Sequence, residues 1–127
     1  MDKIVEGNFI IEKDTVINGN LIVNGNIIAK NGIFSILKVN GDITAGDILA
    51  RDITVLAKDI YSGDISVDNI SARDISAWNI TARNIEARNI KYFAVCYAYD
   101  HIECKSIEGL RPNSRHFVLD GKIDFSK

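Results

Sequence analysis

The chain has 127 residues, with 15 basic and 17 acidic side chains and a net charge of −2. That is length for one domain, and no charge excess directs it toward nucleic acid or an anionic membrane. Its apolar runs are too short to cross a membrane as a helix and its N-terminus has no signal-peptide core, so a cytoplasmic protein with two reduced cysteines is expected.

Composition already favours strands. There are 22 Ile against 6 Leu, and one Pro. Ile prefers strands where Leu prefers helices, which argues against an all-helical chain. Residues 1–40 carry a unit of aliphatic, any residue, Gly, Asn or Asp, aliphatic, at Val5–Phe9, Ile17–Leu21, Val23–Ile27 and again at Val39–Ile43. Asn-Gly pairs often mark hairpins. Here Gly19, Gly25 and Gly41 share parity with flanking apolar residues, which suits a crowded interior or a bend. These residues read as one or two wide turns leading into a tighter coil, with 33–37 in no clear register.

From Gly41 the pattern tightens. Ile recurs at 43, 48, 53, 60, 65, 70, 75, 80, 85 and 90, each time preceded by Asp or Asn. A five-residue step rotates an α-helix by about 140° net and scatters these side chains around it. A short extended segment followed by a corner instead turns two residues in five inward. Those would be the Ile and the residue two places on, from Ala45 and Ala50 to Ala82 and Ala87. The chain is therefore expected to be all-β, a single-stranded β-helix, or β-solenoid, wound around a narrow core.

The breaks in the repeat suggest a side number. Continued through Val95, Ile102 and Ile107, the ladder has two seven-residue steps, Ile53 to Ile60 and Val95 to Ile102, eight steps apart. A four-sided coil over residues 41–107 places both on one corner. It stacks Ile75 between Ile53 and Val95, and Asp42 under Asp64 and Asn84. The Asp and Asn positions then serve as corner hydrogen-bonding groups. Tyr92 and Tyr97 fall on inward positions and would plug the core. In the tail, Asp120-Gly121 lies between short alternating runs, predicting a hairpin cap within residues 108–127. The whole, 1–127, is one solenoid domain.

The Asp/Asn-Ile units from Gly41 to about Ile107 resemble pentapeptide-repeat proteins, whose fold is a four-sided right-handed β-helix. One departure is clear: the small residue falls two after the central aliphatic rather than two before. The runs INGNLIVNGNI and VNGDI are similar to bactofilins, polymer-forming cytoskeletal β-helices. Both resemblances imply a non-enzymatic role, and the second implies self-assembly. The near-neutral repeat does not carry over the DNA mimicry of some pentapeptide-repeat proteins.

Residues with chemistry are few. Cys96, His101, Cys104 and His116 are zinc-ligand types, but their C-x4-H-x2-C-x11-H spacing lacks the close pairs of structural zinc sites. They are expected to be structural, with no metal, cofactor or catalytic residue. Arg73, Trp78, Arg83 and Arg88 are the candidate binding face, with Arg51 stacked under Arg73 and Lys105 over Arg83. Two functions follow: a non-catalytic self-assembling scaffold, homodimeric through an apolar N-terminal end (Ile4, Val5, Phe9, Ile10, Ile11), or a monomeric module holding another protein on the Arg/Trp face. Neither nucleic acid nor membrane is an expected partner.

Overall fold

A strand that buries an Ile and a small residue two places on must then bend, or the next pair points away from the core. The computed structural model, which describes residues 2–30 and 32–125, does this repeatedly. Its strands are β1 (Lys3–Glu6), β2 (Phe9–Ile11), β3 (Thr15–Ile17), β4 (Leu21–Asn24), β5 (Ile27–Ala29), β6 (Ile36–Val39), β7 (Ile43–Thr44) and β8 (Ile48–Leu56). They continue as β9 (Asp59–Tyr61), β10 (Asp64–Ser71), β11 (Asp74–Glu86), β12 (Asn89–Glu103), β13 (Ser106–Gly109), β14 (Arg115–Val118) and β15 (Ile123–Asp124). The pairings among them are parallel and build an all-β solenoid of about seven turns. Among the described residues no helix is long and apolar enough to cross a membrane.

The coil has three sides, not four. Asp74–Ser76 pairs downward with Asp59–Tyr61 and upward with Asn89–Lys91, three five-residue units away in each direction. Asp64–Ser66 and Asn69–Ser71 pair with Asn79–Thr81 and Asn84–Glu86 at the same interval. A four-sided coil would need four units between partners. Side 1 stacks Leu21, Ile43, Ile60, Ile75, Ile90 and Ile107. Side 2 stacks Ile27, Ile48, Ile65, Ile80 and Cys96. Side 3 stacks Leu37, Val55, Ile70, Ile85, Ile102 and Ile123. Ile75 therefore lies between Ile60 and Ile90, rather than between Ile53 and Val95.

The four-sided expectation failed because two ladder positions are not where the repeat suggests. Val55, not Ile53, pairs with Ile70, although Ile53 is also fully buried. Cys96, not Val95, pairs with Ile80, and Val95 is exposed. The extra residues fall at two corners: register shifts between Val67 and Asn69 and between Ala82 and Asn84 lie between sides 2 and 3, and the shift between Ala77 and Asn79 lies between sides 1 and 2. A bulge absorbs each one while the core column continues. Toward the N-terminus the turns are longer. Lys3 of β1 pairs with Leu21 of β4, Phe9 of β2 with Ile27 of β5, and Thr15 of β3 with Leu37 of β6.

The expected C-terminal hairpin does not form. β13, β14 and β15 each pair in parallel with β12 and make the last turn, so Asp120-Gly121 links two of its sides. The Leu119 and Asp120 amides donate to the Ala98 and Tyr99 carbonyls at 2.9 and 3.0 Å. A hairpin would satisfy itself and leave the β12 edge open, whereas stacking pairs that edge. Tyr92 is buried as expected. Tyr97 instead faces outward, opposite Thr81 and Phe117, with its ring 4.6 Å from that of Phe117. The glycines of the Asn-Gly and Gly-Asp units mark corners rather than the interior. A Cβ at Gly63 would lie 2.7 Å from the Gly46 carbonyl oxygen and against the Asp47 carboxylate.

Candidate functional site

With three units to the turn, the outward positions sort into columns. The Asp and Asn residues form hydrogen-bonded ladders along the corners. The Asp47 and Asp64 amides donate to Asn26 Oδ1 (2.9 Å) and Asp47 Oδ1 (2.8 Å), and Asn79 Nδ2 donates to Asp64 Oδ1 at 2.8 Å. Asn84 Nδ2 donates to Asn69 Oδ1, and Asn89 Nδ2 to Asp74 Oδ1, at 2.8 and 2.9 Å. These side chains hold successive turns together, which accounts for their regularity without catalysis.

The residue just before each Asp or Asn gives each corner its own chemistry. Entering side 1, the Arg73, Arg88 and Lys105 amides donate to the Lys58, Arg73 and Arg88 carbonyls at 2.7–2.8 Å, stacking four exposed cations on successive turns. Arg73 is anchored by the buried Asp59 carboxylate, with Nε and Nη2 at 3.3 and 3.1 Å from its two oxygens. That hydrogen-bonded contact, and the attraction that goes with it, raise the guanidinium pKa. Entering side 2, Gly25, Gly46 and Gly63 are followed by Trp78, whose ring packs 4.6 Å from Phe93. Entering side 3, Arg83 lies between Asp68 (3.7 Å) and Asp100 (3.9 Å).

The expected face of Arg73, Trp78, Arg83 and Arg88 is therefore divided. Arg73 and Arg88 share one corner, Trp78 occupies the second and Arg83 the third. Arg51 does not stack under Arg73, nor Lys105 over Arg83; Lys105 follows Arg88 instead. Sequence reasoning missed Lys58 and Lys105 as members of one cationic ladder, and Asp59 as its buried anchor. Their signal was present, at the corner that opens every third unit. Beside this ladder, on side 1, a shallow depression of about 470 Å³ is lined by Tyr61, Asp74, Ser76, Asn89, Lys91 and Ser106. Asp59, followed by burial and by Asp42 and Asp74, pushes the Tyr61 hydroxyl pKa up.

The Cys/His group does not assemble either. Cys96 and Cys104 are free thiols inside the core. Burial, with a smaller contribution from Cys104, pushes the Cys96 pKa up to about 12, and burial raises that of Cys104. Such thiols stay protonated and are poor nucleophiles and ligands. His116 Nδ1 lies 2.6 Å from the Tyr92 hydroxyl above the core. His101 stands apart from both on side 3, with Nε2 3.7 Å from Glu103 Oε1.

Comparison of the chain with protein-family models, curated proteins and solved structures returned no match; the structure bears out the β-solenoid fold that both resemblances imply, and no family match supports either family specifically.

Proposed function

We propose that this chain is a non-catalytic structural solenoid that self-associates end to end, beginning at its N-terminal turn. One observation carries the reading: among the described residues β1, β2 and β3 pair only upward, with β4, β5 and β6. Three unpaired parallel edges surround a core end where Val5 and Phe9 are only half-buried. Such edges template pairing with another chain. A homodimer through this end is the smallest assembly. The C-terminal turn stacks rather than folding into a hairpin, and among the described residues β13, β14 and β15 pair only with β12, so growth beyond a dimer follows. The protonated, buried thiols support a non-catalytic role.

Sedimentation velocity over a hundredfold concentration range tests this against a 14.1 kDa monomer. Concentration-dependent heavier species are expected. Val5→Lys with Phe9→Lys should remove association through the N-terminal end by placing charge at the open core end, leaving species no larger than a dimer. A wild-type monomer throughout the range refutes self-association.

A second reading, a module for an acidic partner, is favoured by the Lys58, Arg73, Arg88, Lys105 ladder. Among the described residues only Arg73 of these four has a carboxylate within ion-pairing distance. Replacing Lys58, Arg88 and Lys105 together by Glu should abolish capture of acidic probes such as polyglutamate. Equal capture by the variant refutes the module.

A further inference from the structure

On the outer surface of side 3, near the C-terminal end, stacking of the last turn on β12 brings Asp124 beside His101 and Glu103. Asn69 and Asn84 form the Asx ladder at this corner, and the partner of Asn84 in the next turn is His101. The imidazole does not continue the amide ladder. Its Nε2 faces Glu103 Oε1 at 3.7 Å, beyond hydrogen-bonding range. Glu103 is in turn the strand partner of Asp124 in the last turn. One donor atom from each of His101, Glu103 and Asp124 lies within 4.8 Å of the other two.

We propose that His101, Glu103 and Asp124 bind a divalent transition-metal cation, bridging β12 to β15. Three atoms no more than 4.8 Å apart leave a point within about 2.8 Å of all of them, so closing to the ~2.0–2.2 Å of Zn–N and Zn–O bonds needs side-chain movements of under about 1 Å. Two carboxylates balance the dication. The imidazole nitrogen favours Zn²⁺ or Fe²⁺ over Ca²⁺ and Mg²⁺, which prefer an all-oxygen shell. With three protein donors on a partly exposed surface, water completes the coordination. Because β15 has two residues, a metal bridge would fasten the last turn.

The test is titration of the EDTA-treated full chain with ZnCl₂, followed by calorimetry and thermal melting, with CaCl₂ as comparator. One Zn²⁺ per chain is expected, with a higher melting temperature and no matching response to Ca²⁺. Glu103→Gln and Asp124→Asn should each weaken binding by about tenfold or more. His101→Asn is the decisive variant, since it restores the residue type of the two turns below. It should fold at least as well as the parent without metal and lose the Zn²⁺-dependent shift. Binding should persist in His116→Asn and in Cys96→Ala/Cys104→Ala. The proposal is overturned by no saturable uptake below about 1 mM, by uptake unchanged in His101→Asn, or by uptake lost with the cysteines or His116.

Discussion

A designed disulfide measures the turn length directly. Ser66 and Thr81 are strand partners on the outer surface of side 2. Adjacent parallel strands put their Cα atoms about 4.8 Å apart, inside the ~4.4–6.8 Å range a disulfide tolerates. Ser66→Cys with Thr81→Cys should oxidise spontaneously, and the native cysteines, both fully buried, should not compete. The bond closes a loop of three five-residue units, which the chain-entropy relation values at about 3 kcal/mol. For a chain of this length each kcal/mol moves the midpoint by about 4 °C, so oxidised protein should melt about 12 °C above reduced. The control pair Ser66→Cys with Glu86→Cys probes the longer turn of a four-sided coil. Glu86 lies on side 3, so this pair should stay reduced. Non-reducing electrophoresis and calorimetry with and without reductant decide it. Crosslinking at 66/86, or none at 66/81, refutes the three-sided register.

Further substitutions test the core, the ladders and the buried thiol. Ile75→Asp places a charge between Ile60 and Ile90 and should prevent folding at a cost of several kcal/mol, while Ser76→Asp on the outer surface should stay within about 0.5 kcal/mol of the parent; similar melting temperatures would contradict the assigned facing. Asn84→Asp changes the donor over Asn69 Oδ1 into an acceptor and should cost about 1–3 kcal/mol in urea unfolding, whereas an unchanged midpoint would show that the ladder adds nothing. Cys96 binds its proton more tightly folded than unfolded, so its contribution is complete below pH 9 and falls as pH rises toward 12, by about 4 kcal/mol in all. Cys96→Ala should flatten that alkaline decline, and an identical decline in the variant would remove the thiol as its cause.

The solenoid was legible because its cause is local. Five-residue spacing of Ile, with a small residue two places on, dictates strand, corner and facing without knowledge of the next turn. Every Ile of the repeat from Ile43 to Ile90 is buried, including Ile53, whose strand register was misassigned. The number of sides is a different kind of quantity. It depends on which corners absorb extra residues, and a bulge conceals this by keeping an apolar residue near the wall. Ile53 and Val95 looked like ladder members for that reason, yet Val55 and Cys96 hold the paired positions. The tail failed through competition: Asp120-Gly121 favours a hairpin locally, but the unpaired β12 edge offered every strand of the tail a longer-range partner.

This separation explains why the candidate sites were less legible than the fold. Two of five positions are committed to the core and one to the Asx ladders. The remaining positions decide what the surface presents, and their neighbours are set only by turn length. Four sides would put Arg73 over Arg51. Three sides put it between Lys58 and Arg88, with Arg83 confined between Asp68 and Asp100. Stacking of the tail, rather than a hairpin, likewise brings Asp124 beside Glu103 and His101. Extra residues leave the columns intact, because each is absorbed at its corner: Lys105 still stacks on Arg88 although the turn between them carries two more residues than the turn below. In such a chain the core sequence specifies a rod, and the number of units per turn specifies which side chains share a surface column.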